Sequence, residues 1–280
     1  MSSASERRVT PLVIAVAPNG AKKTKDDHPA LPIEPRELAI EAASCIEKGA
    51  AMIHLHVRDA RGGHSLDADG YRAAIDAIRA DVGQRIIIQV TSEAVGIYRP
   101  DEQMAMVREV RPEAVSLAIC ELCPPGCDET EVAKFFAWIS SERIMPQYIM
   151  YSAEEVEQFL SLQKRGIIPD EHPFVLFVLG RYTKDQQSSP RDLLPFLGAS
   201  GSVPMEWSMC AFGAEEVRCA LTATALDGHC RVGFENNTLL PNGTTAPNNS
   251  ALVARVHDGA TLMHRPIADA DTARALLSRE

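Results

Sequence analysis

No stretch of the chain approaches the roughly 18–20 consecutive apolar residues that a bilayer-spanning helix needs. The opening MSSASERRVT is polar, with no apolar core behind it, so neither a membrane span nor a secretory signal is expected. A basic stripe is also missing. Lys and Arg number 28 against 38 Asp and Glu, a formal charge of −10 with both signs spread along the chain, whereas a phosphate backbone demands a concentrated positive face. Nucleic acid is therefore a poor partner. Cysteines are odd in number and scattered, as Cys45, Cys120, Cys123, Cys127, Cys210, Cys219 and Cys230, which reads as the reduced thiols of a cytoplasmic protein rather than a disulfide framework. The C-x2-C-x3-C spacing of Cys120, Cys123 and Cys127 suits a soft metal, but zinc would want a fourth nearby ligand and an iron–sulfur cluster another cysteine. Thiols at the surface after a buried strand are the simpler account. No apolar run leads into G-x-G-x-x-G or a P-loop, so the usual nucleotide fingerprints are absent.

What remains is an ordinary globular composition, 45% apolar and 24% charged over 280 residues, long enough for one large domain or two small ones. Eight short apolar runs recur at fairly even spacing: LVIAVA (12–17), AMIHLHV (51–57), RIIIQVT (85–91), AVSLAI (114–119), IMPQYIMY (144–151), FVLFVLG (174–180), MEWSMCA (205–211) and CRVGFEN (230–236). Their length and β-branched content fit strands covered on both faces. Helical periods lie between them. From Pro35 to Lys48, Leu38, Ala42, Cys45 and Ile46 share a face, while Arg36, Glu37, Glu41, Glu47 and Lys48 point outward until Gly49 stops the helix. DADGYRAAIDAIRADVG and AEEVEQFLSLQKRG repeat the pattern. Eight alternations without an internal repeat or linker predict an α/β fold, a (β/α)8 TIM barrel forming a single domain over residues 1–280 with a polar tail over about residues 1–10. An open doubly wound sheet is the runner-up.

In such a barrel the reacting groups sit at the carboxyl ends of the strands. HLHVRD (54–59) places His54, His56 and Arg58 on one side of the second strand by alternation, facing the interior near its mouth. Two neutral imidazoles pointing together suit a divalent cation. In the last strand, alternation turns Arg231, Gly233 and Glu235 one way. His54, His56 and Glu235 with one position open are the ligand set of catalytic zinc, although Glu235 also reads as a helix-capping or ion-pairing carboxylate, with Arg231 as a partner. Asn19 and Gly20, Thr91 with Ser92 and Glu93, Ser116, and Gln147, Tyr148 and Ser152 make other strand ends polar. With Arg58 or Arg231 to pair a carboxylate, they describe a pocket for a small anionic substrate.

These residues and their order resemble the β-keto acid cleavage enzymes over most of the chain. The matching stretches are NGA after the first strand, LPIEPRELAIEAASCIEKGAAMIHLHVRD with DADGYRAAIDAIR, RPEAVSL, and GHCRVGFENN. The resemblance implies a (β/α)8 fold, a homotetramer, and Zn2+ held by His54, His56 and Glu235. It also implies condensation of a β-keto acid with acetyl-CoA as co-substrate, releasing acetoacetate and a new acyl-CoA. By position, Arg231 is the family's arginine, Thr91 its hydroxyl ending strand three, and Ser116 replaces a threonine. The residue after the zinc glutamate, an aspartate proposed as base in the family's described member, is here Asn236, whose amide cannot accept a proton. Glu93 is the expected substitute, so Arg231, Glu93 and Asn236 are the catalytic positions, and Thr91, Ser116, Arg58, Asn19 and Lys22 the substrate-binding ones. Lys22 and Lys23 stand where that member has a glutamate suited to an amino substrate, which predicts preference for an anionic or neutral chain. Two other readings stay open: a metal-dependent hydrolase, and a catalytically altered zinc barrel that binds a β-keto acid or CoA ester.

Overall fold

The eight apolar runs form eight parallel strands that close on themselves, in a computed structural model describing residues 9–278. Most of the expected polar tail lies outside the described residues. In chain order the elements are β1 (Ile14–Val16), α1 (Pro35–Ile46), β2 (Met52–Leu55), β3 (Val57–Arg58), β4 (His64–Ser65), α2 (Ala68–Val82), β5 (Ile87–Thr91), α3 (Pro100–Val110), β6 (Ala114–Ala118) and α4 (Ile119–Leu122). There follow α5 (Glu129–Ser141), β7 (Met145–Met150), α6 (Ala153–Lys164), β8 (Phe174–Leu179), α7 (Leu194–Ser200), β9 (Glu206–Ala211), α8 (Glu216–Ala225), β10 (His229–Val232), α9 (Asn249–Leu262) and α10 (Ala270–Leu277). Around the barrel the order is β1, β10, β9, β8, β7, β6, β5, β2, and β2 pairs back onto β1. No helix among the described residues is long and apolar enough to cross a membrane.

The helices begin where the sequence supplies caps. Asp67, Ser152, Asn248 and Asp269 each accept a backbone N–H from the first turn of the helix that follows, satisfying donors that have no partner inside the helix. Their apolar faces then cover the outside of the strands, so β-branched runs such as Ile86–Ile88 are buried on both sides. One end of the barrel is plugged: Ala270, Ala273 and Leu277 of α10 pack with Val13, Met52, Ile87, Met145 and Phe174. That leaves the carboxyl ends of the strands as the open mouth.

Alternation fails at two ends and one helix face. β2 stops at Leu55, and Arg58 belongs to a two-stranded ribbon of β3 and β4 rather than to the strand bearing His54. β10 stops at Val232, where Gly233 turns at φ 141°, so Glu235 is delivered by a turn and not by strand alternation. Glu41, expected outward, is only 8% exposed; its Oε1 accepts the Asn249 N–H at the start of α9 (2.9 Å), a bond that draws the carboxyl inward.

Candidate active site

His54 stands beside Gln89 in the β2–β5 register. Its Nδ1–H donates to Gln89 Oε1 (2.8 Å), and Gln89 Nε2 donates in turn to Gln147 Oε1 (3.1 Å). This relay fixes the tautomer and leaves Nε2 bare toward the mouth. Burial, reinforced by the Arg231 guanidinium, holds the His54 imidazole well below its usual pKa, so it is neutral. His56 is held by Asn19, whose Nδ2 donates to the His56 carbonyl (3.0 Å) while its Oδ1 accepts the His56 N–H (3.3 Å).

Glu235 completes a triangle. Its Oε2 lies 3.4 Å from His54 Nε2 and 3.5 Å from His56 Nε2, and the two nitrogens are 3.2 Å apart. Bonds of about 2.0–2.1 Å at tetrahedral angles place ligand atoms about 3.3–3.4 Å apart, so the three atoms are spaced for one small divalent ion. Glu235 Oε2 is buried and makes no hydrogen bond of ordinary length, a costly state for a carboxylate oxygen unless a cation faces it. Burial alone would raise the Glu235 pKa, but Arg231 and the imidazoles outweigh it and hold the carboxyl well below its usual range. Among the described residues no other set of three His, Cys, Asp or Glu ligand atoms converges in this way. Cys120, Cys123 and Cys127 do not, and burial pushes the Cys120 and Cys123 thiols up to about 12, against the thiolate a metal requires.

Two arginines flank the triangle. Arg231 Nη2 donates to the other Glu235 oxygen (2.9 Å) and to Cys210 Sγ (3.3 Å), while its Nε and Nη1 are buried without a partner. Arg181, just beyond β8, donates from Nη2 to Glu93 Oε1 (2.8 Å) and lies over the Phe212 ring (5.3 Å). The second Glu93 oxygen is 3.8 Å from His56 Nε2. Glu93 thus faces the apex with one oxygen occupied and one free of that ion pair.

Thr91 and Ser116, aligned in the β5–β6 register, share a hydroxyl hydrogen bond of 3.2 Å in the same cleft, whose apolar wall includes Ile149, Val178 and Phe212. Asn19, Lys22 and Lys23 line its outer part with Glu93, Arg181 and Glu235. Lys23 Nζ donates to the Glu235 carbonyl (2.8 Å). Arg58 is placed otherwise than expected: its guanidinium donates to the carbonyls of Gly20, Lys23 (2.9 Å) and Gly62 (3.0 Å), fixing the first loop. Asn236 is buried at 3% exposure with neither side-chain polar atom partnered, and it is not among the residues lining the cleft. Of the other polar strand-end residues, Tyr148 bonds Asp170 (2.5 Å) and Ser152 caps α6. The sequence reading missed Arg181 and Gln89. Gln89 carried a signal, a lone amide inside RIIIQVT; Arg181 carried none beyond following a strand.

Comparisons with known proteins speak to the family of the chain. The profile described as beta-keto acid cleavage enzyme matches residues 11–278. A 3-keto-5-aminohexanoate cleavage enzyme of Fusobacterium nucleatum is 35% identical over 273 residues, covering 95% of this chain and 97% of its own. A 3-oxoadipate:acetyl-CoA acetyltransferase of Cupriavidus necator is 29% identical over 274 residues, covering 95% and 94%. Among solved structures, a ternary complex of ObcA with a C4-CoA adduct and oxalate superposes with a TM-score of 0.72 at 16% identity, over 89% of this chain and 67% of that one. A type I 3-dehydroquinate dehydratase from Clostridium difficile gives 0.59 at 10% identity, over 92% and 94%. The structural matches speak to the barrel alone; the profile and the sequence relatives carry the assignment, and by them this chain belongs to the β-keto acid cleavage enzyme family, a class of enzymes that break a carbon–carbon bond.

Proposed function

We propose that the chain condenses a β-keto acid with acetyl-CoA, giving acetoacetate and a new acyl-CoA, with Zn2+ held by His54, His56 and Glu235. The observation that carries this reading is the convergence of one ligand atom each from His54, His56 and Glu235 at the spacing of a single ion, with the Arg231 guanidinium against Glu235. When bound, the metal supplies a Lewis acid for the keto oxygen. The Arg231 charge attracts the substrate carboxylate and orients the carbon between the two carbonyls. The free oxygen of Glu93 takes the proton from that carbon, which then forms the new bond to the acetyl carbonyl. The released CoA thiolate adds to the original keto carbon, the bond from that carbon to the deprotonated carbon breaks to leave the new acyl-CoA, and the departing acetoacetate enolate takes back the proton held by Glu93. Thr91 and Ser116 donate hydrogen bonds where enolate charge develops. Asn236 cannot serve as the base, which leaves Glu93, fixed by Arg181, as the carboxylate beside the apex.

Lys22, Lys23 and Arg181 in the outer cleft favour an anionic or neutral substrate chain over an amino one. Location in the cytoplasm is consistent with seven free thiols, and a homotetramer is the assembly we assign from the family. The test is to incubate zinc-loaded protein with acetyl-CoA and a panel of β-keto acids. Acetoacetate formation supports the transferase; free CoA without acetoacetate points to a hydrolase, and binding without turnover to an altered barrel.

A further inference from the structure

The turn from Gly233 to Asn237, which delivers Glu235, is gripped from outside the barrel by two fully buried side chains that touch no ligand atom themselves. Glu216, the first residue of α8, accepts the Gly233 N–H at Oε1 (2.9 Å) and the Asn237 Nδ2–H at Oε2 (3.3 Å). Asn249, the first residue of α9, accepts the next N–H along the turn, that of Phe234, at Oδ1 (2.7 Å). From Nδ2 it donates to the Pro18 carbonyl (3.2 Å). Pro18 precedes Asn19, which clamps His56. One amide therefore ties the loop that sets His56 to the turn that sets Glu235, and Asn249 is itself anchored through its N–H by the inward-turned Glu41 (2.9 Å).

We infer that Glu216 and Asn249 are positioning residues for the metal triangle: by fixing consecutive backbone amides, they hold Glu235 Oε2 at matched distance from both imidazoles. This rests on the metal reading above. Two physical points support it. Buried carboxyl and amide groups are costly unless satisfied, and here most of that satisfaction is spent on one five-residue turn. The turn also has little slack, since a Cβ at Gly233 would fall 2.4 Å from the Ala17 carbonyl oxygen and 2.9 Å from Asn249 Oδ1. Groups that orient metal ligands from behind typically contribute about 10–100-fold in affinity.

The variants are Glu216→Gln and Asn249→Ala in the full chain. In Glu216→Gln an amide nitrogen replaces the oxygen facing Asn237 Nδ2, and Asn237 cannot flip without losing both its bonds to Leu239. The measurements are the zinc dissociation constant by chelator competition, the visible spectrum of the cobalt-loaded protein, and circular dichroism of the metal-free form. The expected result is zinc binding weakened about 10–100-fold and an altered cobalt spectrum, with the circular dichroism of wild type. A merely structural role would lower thermal stability yet leave the cobalt spectrum and zinc affinity unchanged, and that result overturns the inference. If Glu216→Gln cannot be recovered folded, Asn249→Ala decides alone, with Asn249→Asp, which keeps the acceptor for Phe234, expected to regain part of the affinity. Wild-type protein that binds neither metal refutes the metal reading itself, an outcome distinct from variants that bind as wild type does.

Discussion

Two side chains of the triangle have their second polar atom engaged, His54 Nδ1 by Gln89 and Glu235 Oε1 by Arg231, whereas His56 Nδ1 is buried without a partner. Glu235 spends Oε1 on Arg231 and has Oε2 for the ion; Glu235→Gln keeps the shape but removes the one anionic ligand. The expected outcome is protein that retains no zinc through dialysis and turns over at background, measured by metal content and acetoacetate release. Full zinc content in that variant contradicts the ligand assignment. Glu93→Gln should behave oppositely, losing about 10²–10⁴-fold in turnover, the usual range for a positioned base, while zinc content holds. Full activity there would move the base elsewhere. At this scale the sequence was legible where residue type alone narrows the chemistry: the histidine pair, Arg231 and Glu235 could be chosen as charged or ligating groups at strand ends. Asn19 and Arg58 were visible as polar residues, but their partners are backbone carbonyls and amides far along the chain, and no side-chain pattern records where a distant carbonyl will lie.

Strand alternation found the histidine-bearing strand, yet it broke at the ends of β2 and β10, where the chain turns and the period of two no longer applies. Glu235 reaches the mouth because of the turn's geometry, and two glycines show how tightly that turn is seated. Gly233 at φ 141° would place a Cβ 2.4 Å from the Ala17 carbonyl, whereas Gly243 at φ 83° has nothing within 4 Å. Gly243→Ala therefore meets only backbone strain, about 1–2 kcal/mol. Gly233→Ala adds a clash with rigid backbone, for a total on the order of 3–4 kcal/mol, and should release zinc as well. Urea unfolding of the metal-free proteins checks the ordering, and equal losses at the two sites would contradict it. Helix faces were legible where apolar residues set the stripe, as in α1, where Leu38, Ala42 and Cys45 are buried. Glu41 shows the limit: its charge said outward, and an unpaired N–H at the start of α9 drew it in.

Across the whole molecule, the plugged end beneath α10 and the polar opposite mouth give the barrel one face for chemistry. The central claim is that two imidazoles and one carboxylate share a single ion, and it is tested most directly by X-ray absorption at the zinc edge of protein loaded with one equivalent. The account predicts only nitrogen and oxygen neighbours at about 2.0–2.2 Å, lost in Glu235→Gln. A sulfur neighbour at about 2.3 Å, or a wild-type chain that takes up no stoichiometric zinc, would contradict it.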